Sequence, residues 1–196
     1  MDYFEVFGLP RRLGIDVEAL QARFYELSRQ HHPDFHQAAP PEEQARVLEV
    51  SALVNAAYRA LRDPIARIEY LVRLEEGRDT KEGATVKPKA PPELLEEIFE
   101  IQEMLQEAKA SGLTAERRER LRAERDRLTA RRAEEDERLR GTLSCAWDEA
   151  PAAERPRLLS AFKESLATRA YLGTVIDDLN AVLEESQDGY VAHHRH

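Results

Sequence analysis

Apolar residues in the first 75 positions recur every three or four residues, which is the spacing of helices with one buried face. A helix is predicted over residues 17–30, where Asp16 is a suitable N-cap. Its expected buried stripe consists of Val17, Leu20, Phe24 and Leu27. A second helix is predicted from Pro41 to the Asp63-Pro64 pair, and a shorter third one over 65–74. Residues 1–75 therefore predict an antiparallel helical hairpin with short flanking helices.

The same spacing returns after a stretch that contains two glycines and two prolines, residues 76–91, which indicates a linker. Residues 92–186 carry further apolar stripes, interrupted at Ser111-Gly112 and again at Pro151 and Pro156. These stripes predict a three-helix bundle, and residues 187–196 are expected to form a flexible tail. Since no segment shows the sustained alternation of strands, the predicted fold class is all-α.

Composition narrows the class of protein. Charged residues make up 34% of the 196 residues, and no apolar run is long enough to cross a bilayer, so no membrane contact is expected. The first residues lack the pattern of a secretory signal, which favours a cytoplasmic location. Cys145 is the single cysteine, which excludes an internal disulfide and paired-cysteine metal sites. The net charge of −9 argues against nucleic acid as a partner.

The tripeptide His32-Pro33-Asp34 lies between the two longest helices predicted in residues 1–75. Pro33 disfavours helical geometry at His32 and cannot donate a backbone hydrogen bond, so the first helix must end here. The next helical pattern begins only after Pro40-Pro41. An imidazole and a carboxylate are therefore expected at an exposed, rigid corner that is suited to contact a partner.

Several motifs together with this tripeptide resemble the J-domain, the module by which DnaJ-class co-chaperones act on heat-shock ATPase chaperones. They are Asp2-Tyr3-Phe4, Phe7-Gly8-Leu9, Tyr25, residues 55–64 (NAAYRALRDP) and residues 67–71 (RIEYL). The acidic helical part after the linker is similar to that of the HscB-type co-chaperones of iron–sulfur cluster assembly. The resemblance covers nearly the whole chain.

This resemblance implies a protein that activates an enzyme without being one. His32, Pro33 and Asp34 would form the loop that promotes ATP hydrolysis on a DnaK/HscA-class chaperone. Arg23 and Arg29 would supply the basic face of the preceding helix. No cofactor or metal is implied for the chain itself.

The C-terminal bundle, by the same resemblance, would bind the scaffold protein on which the iron–sulfur cluster is built. The residues aligned with that binding patch are Leu95, Phe99, Glu100, Glu103 and Tyr171. Two alternatives stay open: a J-domain co-chaperone for a different client, and a helical adaptor in which the tripeptide is incidental. Relatives usually carry Lys directly after the tripeptide, whereas here Phe35 and His36 follow, and His36 is expected only to lie on the surface.

Overall fold

The computed structural model describes residues 1–77 and 92–192, apart from the side chains of residue 93 and residues 185–192. Every regular element in these ranges is helical, which confirms the all-α prediction. The α-helices are α1 (Tyr3–Val6), α2 (Val17–Gln30), α3 (Pro41–Arg62), α4 (Pro64–Glu75), α5 (Pro92–Ser111), α6 (Ala115–Arg138), α7 (Ser144–Glu149) and α8 (Arg155–Ala192). A 3₁₀ helix spans Pro33–His36, and a π-helical turn spans Leu139–Leu143. Among the helices in these ranges, none is both long and apolar enough to cross a membrane.

The chain packs into two compact units whose bounds differ from the predicted domains. The N-terminal unit combines α1 to α4 with Leu139–Phe162, a segment that the sequence pattern assigned to the bundle over 92–186. The C-terminal unit combines α5 and α6 with α8 from Lys163 onward. Most of the predicted linker over 76–91 lies outside the described residues. Helix α8 continues to Ala192, past the predicted start of the tail at residue 187, because a single Gly189 weakens a helix without ending it.

Helices α2 and α3 form the predicted antiparallel hairpin. The Phe24 ring of α2 stacks on the Tyr58 ring near the end of α3, with 4.1 Å between ring centroids. Leu20, Val54 and Leu61 are buried in the same unit. Val17, which was expected in the buried stripe, is 42% exposed, because the first turn of α2 extends past the core. Helix α1 begins with a capping box made by Asp2 and Glu5.

Segment 139–162 is joined to the rest of the N-terminal unit by Asp148. Its carboxylate accepts hydrogen bonds from the Leu13 and Gly14 amides at 2.8 and 2.7 Å. An added Cβ at Gly14 would lie 3.1 Å from this carboxylate, which favours glycine there. Trp147, directly before Asp148, is fully buried with its ring edge-on to Phe162. The segment is therefore part of this unit's core.

The C-terminal unit is a bundle of α5, α6 and α8 around one apolar core. Its buried members are Leu94, Ile98, Ile101, Leu105, Ala108, Leu121, Leu128, Leu172, Val175, Ile176, Leu179, Val182 and Leu183. Half-buried Glu97 of α5 receives ion pairs from Arg127 and Arg131 of α6. Arg169 of α8 pairs with Asp136 of α6. These pairs flank the core and connect the three helices.

Helix α6 ends at Arg138, before the interruption at Pro151 that the sequence pattern predicts. The Ser144 hydroxyl donates a 2.6 Å hydrogen bond to the Leu139 carbonyl and so satisfies an acceptor of the helical ladder. Gly141 lowers the helix propensity of the same turn. Together these residues account for the π-helical turn before α7.

Candidate functional site

Residues 31–40, called the HPD loop here, connect α2 to α3 in the N-terminal unit. His31 closes α2 by donating its backbone N–H to the Leu27 carbonyl. His32 has an extended backbone, with φ −75° and ψ 127°, as expected for a residue before proline. Pro33 then starts the 3₁₀ helix, where its fixed φ and missing N–H cost nothing. Pro33 thus both ends α2 and determines the backbone direction of the tripeptide.

His32 and Asp34 are exposed, and hydrogen bonds of the loop hold them in place. The Asp34 backbone N–H donates to His32 Nδ1 at 3.2 Å, and the Phe35 N–H donates to the His32 carbonyl at 3.1 Å. Because Nδ1 accepts, neutral His32 carries its proton on Nε2. The side chains of His32 and Asp34 are 51% and 71% exposed. An imidazole N–H and a carboxylate are thus both available to a partner.

Phe35 lies directly beside this pair. Its side chain is 72% exposed, and its ring meets the His32 imidazole edge to face at 5.7 Å between centroids. Such edge-to-face contacts restrict both rings. The position that the resemblance aligns with a lysine therefore presents an apolar surface here.

Two side chains to which the sequence analysis assigned no role, those of His36 and Gln44, form hydrogen bonds with the HPD loop and the end of α2. His36 is only half-buried, but its Nε2 lies 3.1 Å from the Gln30 carbonyl and its Nδ1 lies 3.8 Å from Glu43 Oε1. The Gln44 side-chain amide donates to the carbonyls of Gln37 and Ala39, at 3.0 and 2.9 Å. The expectation that His36 only lies on the surface is therefore wrong. No helical periodicity marks these contacts, because they depend on how α2 and α3 meet.

The predicted basic residues of α2 are both exposed. Arg23 forms an ion pair with Glu26 on the same helix, which partly offsets its charge. Arg29 lies in the last turn of α2, next to the HPD loop. Tyr25, four residues before Arg29, is also largely exposed, and its hydroxyl accepts a hydrogen bond from Gln21. An aromatic and a cation therefore share one face of α2.

The α5 patch, defined as Leu95, Phe99, Glu100 and Glu103, lies on the outer side of α5 in the C-terminal unit. Leu95 is 48% exposed and Phe99 is 62% exposed, while Leu94 and Ile98 beside them are buried in the core. Four-residue spacing places Leu95, Phe99 and Glu103 along one face of the helix. Tyr171, predicted to join this surface, is half-buried and packs against the core of the bundle. The accessible part of the predicted scaffold-binding surface thus consists of two exposed apolar side chains flanked by carboxylates.

Among the side chains that the structure describes, no three from His, Cys, Asp or Glu lie close enough together to hold a metal ion. Cys145 is exposed, and its thiol is the sequence's single one.

No protein-family model matches the sequence. Among solved structures, the chain is similar to the chaperone HscB from Vibrio cholerae, with a TM-score of 0.62 and 24% identity over 94% of this chain and 99% of that one. It is also similar to the human co-chaperone protein HscB, with a TM-score of 0.61 and 25% identity over 92% of this chain and 81% of that one.

The fold is that of these two HscB structures, an all-α J-domain followed by a helical C-terminal domain. The chain thus resembles HscB-type co-chaperones, and the resemblance predicted from the motifs is confirmed over most of its length.

Proposed function

We propose that this chain is a co-chaperone of iron–sulfur cluster assembly. It stimulates the ATPase of a DnaK/HscA-class chaperone through the HPD loop and delivers a cluster scaffold protein bound at the α5 patch. The observation that carries this proposal is the exposure of His32 and Asp34 at a fixed corner of a chain with the HscB fold. In this scheme the protein catalyses no reaction itself.

The loop geometry suits a regulatory contact. Asp34 presents a carboxylate whose backbone is already held by His32, so little conformational entropy is lost on binding. A charge-assisted hydrogen bond from such a carboxylate to the chaperone is stronger than one between neutral groups. Exposed Arg29 adds orientation and association rate toward an acidic surface, whereas Arg23 contributes less because Glu26 neutralises it.

The α5 patch suits a protein partner with an apolar depression and basic residues around it. Phe99 has the size and exposure of an interface anchor, and Leu95 extends the apolar area by one helical turn. Glu100 and Glu103 on the same helix favour a partner with lysine or arginine at the rim. Half-buried Tyr171 offers only part of its surface, so it ranks behind Phe99 as an anchor in this proposal.

Substitution of His32 by glutamine tests the chaperone contact. The His32→Gln variant is expected to lose stimulation of an HscA-class chaperone's ATPase, while its helicity and melting temperature stay nearly unchanged, because an exposed loop side chain contributes little to folding. Steady-state ATP hydrolysis measured against co-chaperone concentration provides the readout. His31→Gln, one residue earlier, is the matched control and should stimulate normally. Full stimulation by His32→Gln would favour a helical adaptor in which the tripeptide has no role.

Substitutions in the α5 patch test scaffold binding independently. The double variant Leu95→Ala with Phe99→Ala is expected to weaken binding of an iron–sulfur scaffold protein by about tenfold or more, since exposed aromatic anchors dominate interface energy. Isothermal titration calorimetry measures this dissociation constant. Leu48→Ala removes a similarly exposed leucine from α3 and should bind normally. If the unsubstituted chain stimulates the ATPase but binds no scaffold, it serves a different client.

A further inference from the structure

His36 connects the 3₁₀ helix of the HPD loop to both neighbouring helices. Its Nε2 faces the carbonyl of Gln30, the last residue of α2, at 3.1 Å. Its Nδ1 faces Oε1 of Glu43, in the first turn of α3, at 3.8 Å. The carbonyls of a last helical turn have no partner within the helix, so a donor from the following loop satisfies one of them.

The contact with the Gln30 carbonyl determines which nitrogen of the His36 imidazole carries a hydrogen. A carbonyl oxygen can only accept, so Nε2 of His36 must carry the hydrogen. His32, four residues earlier, has its Nδ1 in use as an acceptor from the Asp34 N–H. The two imidazoles therefore differ in role: His36 connects the loop to α2, whereas His32 is exposed to solvent.

The anchor acts on the tripeptide through a short rigid path. His36 and Asp34 belong to one 3₁₀ helix, Pro33–His36, whose first turn is closed by the Phe35 N–H and the His32 carbonyl. Fixing the His36 ring on α2 therefore fixes the backbone from which the Asp34 side chain projects. Gln44 holds the following residues, Gln37 and Ala39, from α3. Gln44 reaches only residues after the 3₁₀ helix, so the His36 contact is what ties the 3₁₀ helix itself to the end of α2.

We propose that His36 is a positioning residue for chaperone activation: it keeps His32 and Asp34 in the geometry that the partner ATPase recognises. The inference rests on the proposed function and deepens it, because it concerns how the loop is presented and not which residues touch the chaperone. Docking through α2 does not depend on this contact. Loss of His36 should therefore lower the maximal stimulation more than it raises the concentration needed for half-maximal stimulation.

Three variants of the full chain test this. His36→Phe keeps a ring but removes the donor, and it is expected to lower maximal ATPase stimulation by about three- to tenfold, the population change that one net hydrogen bond implies. Its half-maximal concentration should change by less than about twofold. His36→Gln keeps an amide donor, as Gln44 does for the neighbouring carbonyls, and should restore most of the stimulation. Gln37→Ala changes an exposed side chain of the same loop and should behave like the unsubstituted protein.

Nitrogen NMR of the unsubstituted protein gives a readout that needs no chaperone. Neutral His36 is expected as the Nε2–H tautomer, and the Nδ1–H tautomer would overturn the inference even if His36→Phe failed to fold. Unchanged maximal stimulation by His36→Phe, or no recovery in His36→Gln, would overturn it as well. If His32→Gln also leaves stimulation intact, the proposed function fails. If His32→Gln abolishes stimulation while His36→Phe does not change it, only the positioning role fails.

Discussion

At the scale of single residues, Arg67 shows how the N-terminal unit holds a buried charge. The guanidinium is almost completely buried and donates to the backbone carbonyls of Leu61 and Leu13. Burial lowers the pKa of Arg67, while the nearby carboxylates of Asp63 and Asp148 favour its charged form. Since arginine keeps its charge in proteins, Arg67 remains a cation that joins α4 to the segment before α2.

Tyr70 is a second buried polar residue of α4, and its ionisation predicts a pH effect. The Tyr3 backbone N–H donates to its hydroxyl oxygen at 2.8 Å, and the two rings stack at 4.4 Å. Burial raises the pKa of Tyr70 above its ordinary value of 10.0. The folded state thus holds this proton more tightly than the unfolded state. The resulting stability is fully present below about pH 10 and is lost as pH rises through the folded pKa.

The variant Tyr70→Phe is therefore expected to be less stable than the unsubstituted protein at neutral pH, by about 1 kcal/mol for the lost hydrogen bond. This difference should shrink between about pH 9 and about pH 11, because phenylalanine has no proton to lose. Urea unfolding followed by the fluorescence of Trp147, the chain's single tryptophan, measures it. The exposed Tyr25→Phe change is the control. A Tyr70→Phe deficit that is the same at every pH would contradict the argument.

The contact of His36 and the exposure of Val17 are two features of single residues that the sequence did not predict. The tripeptide could be located from the sequence because proline rules act on adjacent residues. The His36 contact could not, since it joins a loop residue to a carbonyl six positions earlier, and nothing in the residue pattern encodes that distance. Val17 fits the apolar spacing but is exposed, because spacing alone does not say how far the core reaches along a helix.

At the scale of elements, the bounds of α2 and α3 agree closely with those predicted from Asp16, Pro41 and the Asp63-Pro64 pair. These bounds are local, since each depends on a capping side chain or a proline. Helix α7 was not predicted as a separate element. Its position depends on bonds from Asp148 to the amides of Leu13 and Gly14, some 135 residues earlier in the chain.

The attachment of α7 leads to a prediction for Asp148→Asn. The amide group can replace only one of the two carboxylate acceptors and places N–H donors against a backbone N–H. The free energy of unfolding is expected to fall by about 1 kcal/mol, the usual net contribution of one hydrogen bond, because the bond to Leu13 is only part-buried and the bond to Gly14 is exposed. Urea unfolding with Trp147 fluorescence gives this value, and amide hydrogen exchange of Leu13 and Gly14 should accelerate. The neighbouring exposed Glu149→Gln should change neither quantity, and equal effects of the two variants would count against the role of Asp148.

At the scale of the whole molecule, the all-α class and the two-part organisation could be predicted, because helical periodicity and a stretch rich in glycine and proline are visible in the residues. The membership of residues 139–162 in the N-terminal unit could not be predicted. Leu139 and Leu143 follow Leu128 of α6 by 11 and 15 residues, close to three and four helical turns, so the pattern assigns them to the bundle. Both are buried instead in the N-terminal unit.

Because residues 139–162 belong to the N-terminal unit, a fragment that lacks them is expected to be less stable. A fragment of residues 1–77 should keep helical structure but unfold with a free energy lower by about 3 kcal/mol or more, because it lacks Asp148 and the buried Trp147. Far-UV circular dichroism during urea unfolding provides the comparison. The same fragment joined through a flexible linker to residues 139–162 should recover much of the loss. Equal stability of the two would show that residues 139–162 add nothing to the unit.

The position of Asp148 in the sequence also determines when the N-terminal unit can complete its folding during synthesis on the ribosome. About 70 residues separate Gly77 from Asp148, so at about 5–20 residues per second the N-terminal helices emerge some 4 to 14 seconds before their last partner. During that interval the Leu13 and Gly14 amides have only water to bond with. This unit therefore reaches its final state only after the whole of α6 has been made.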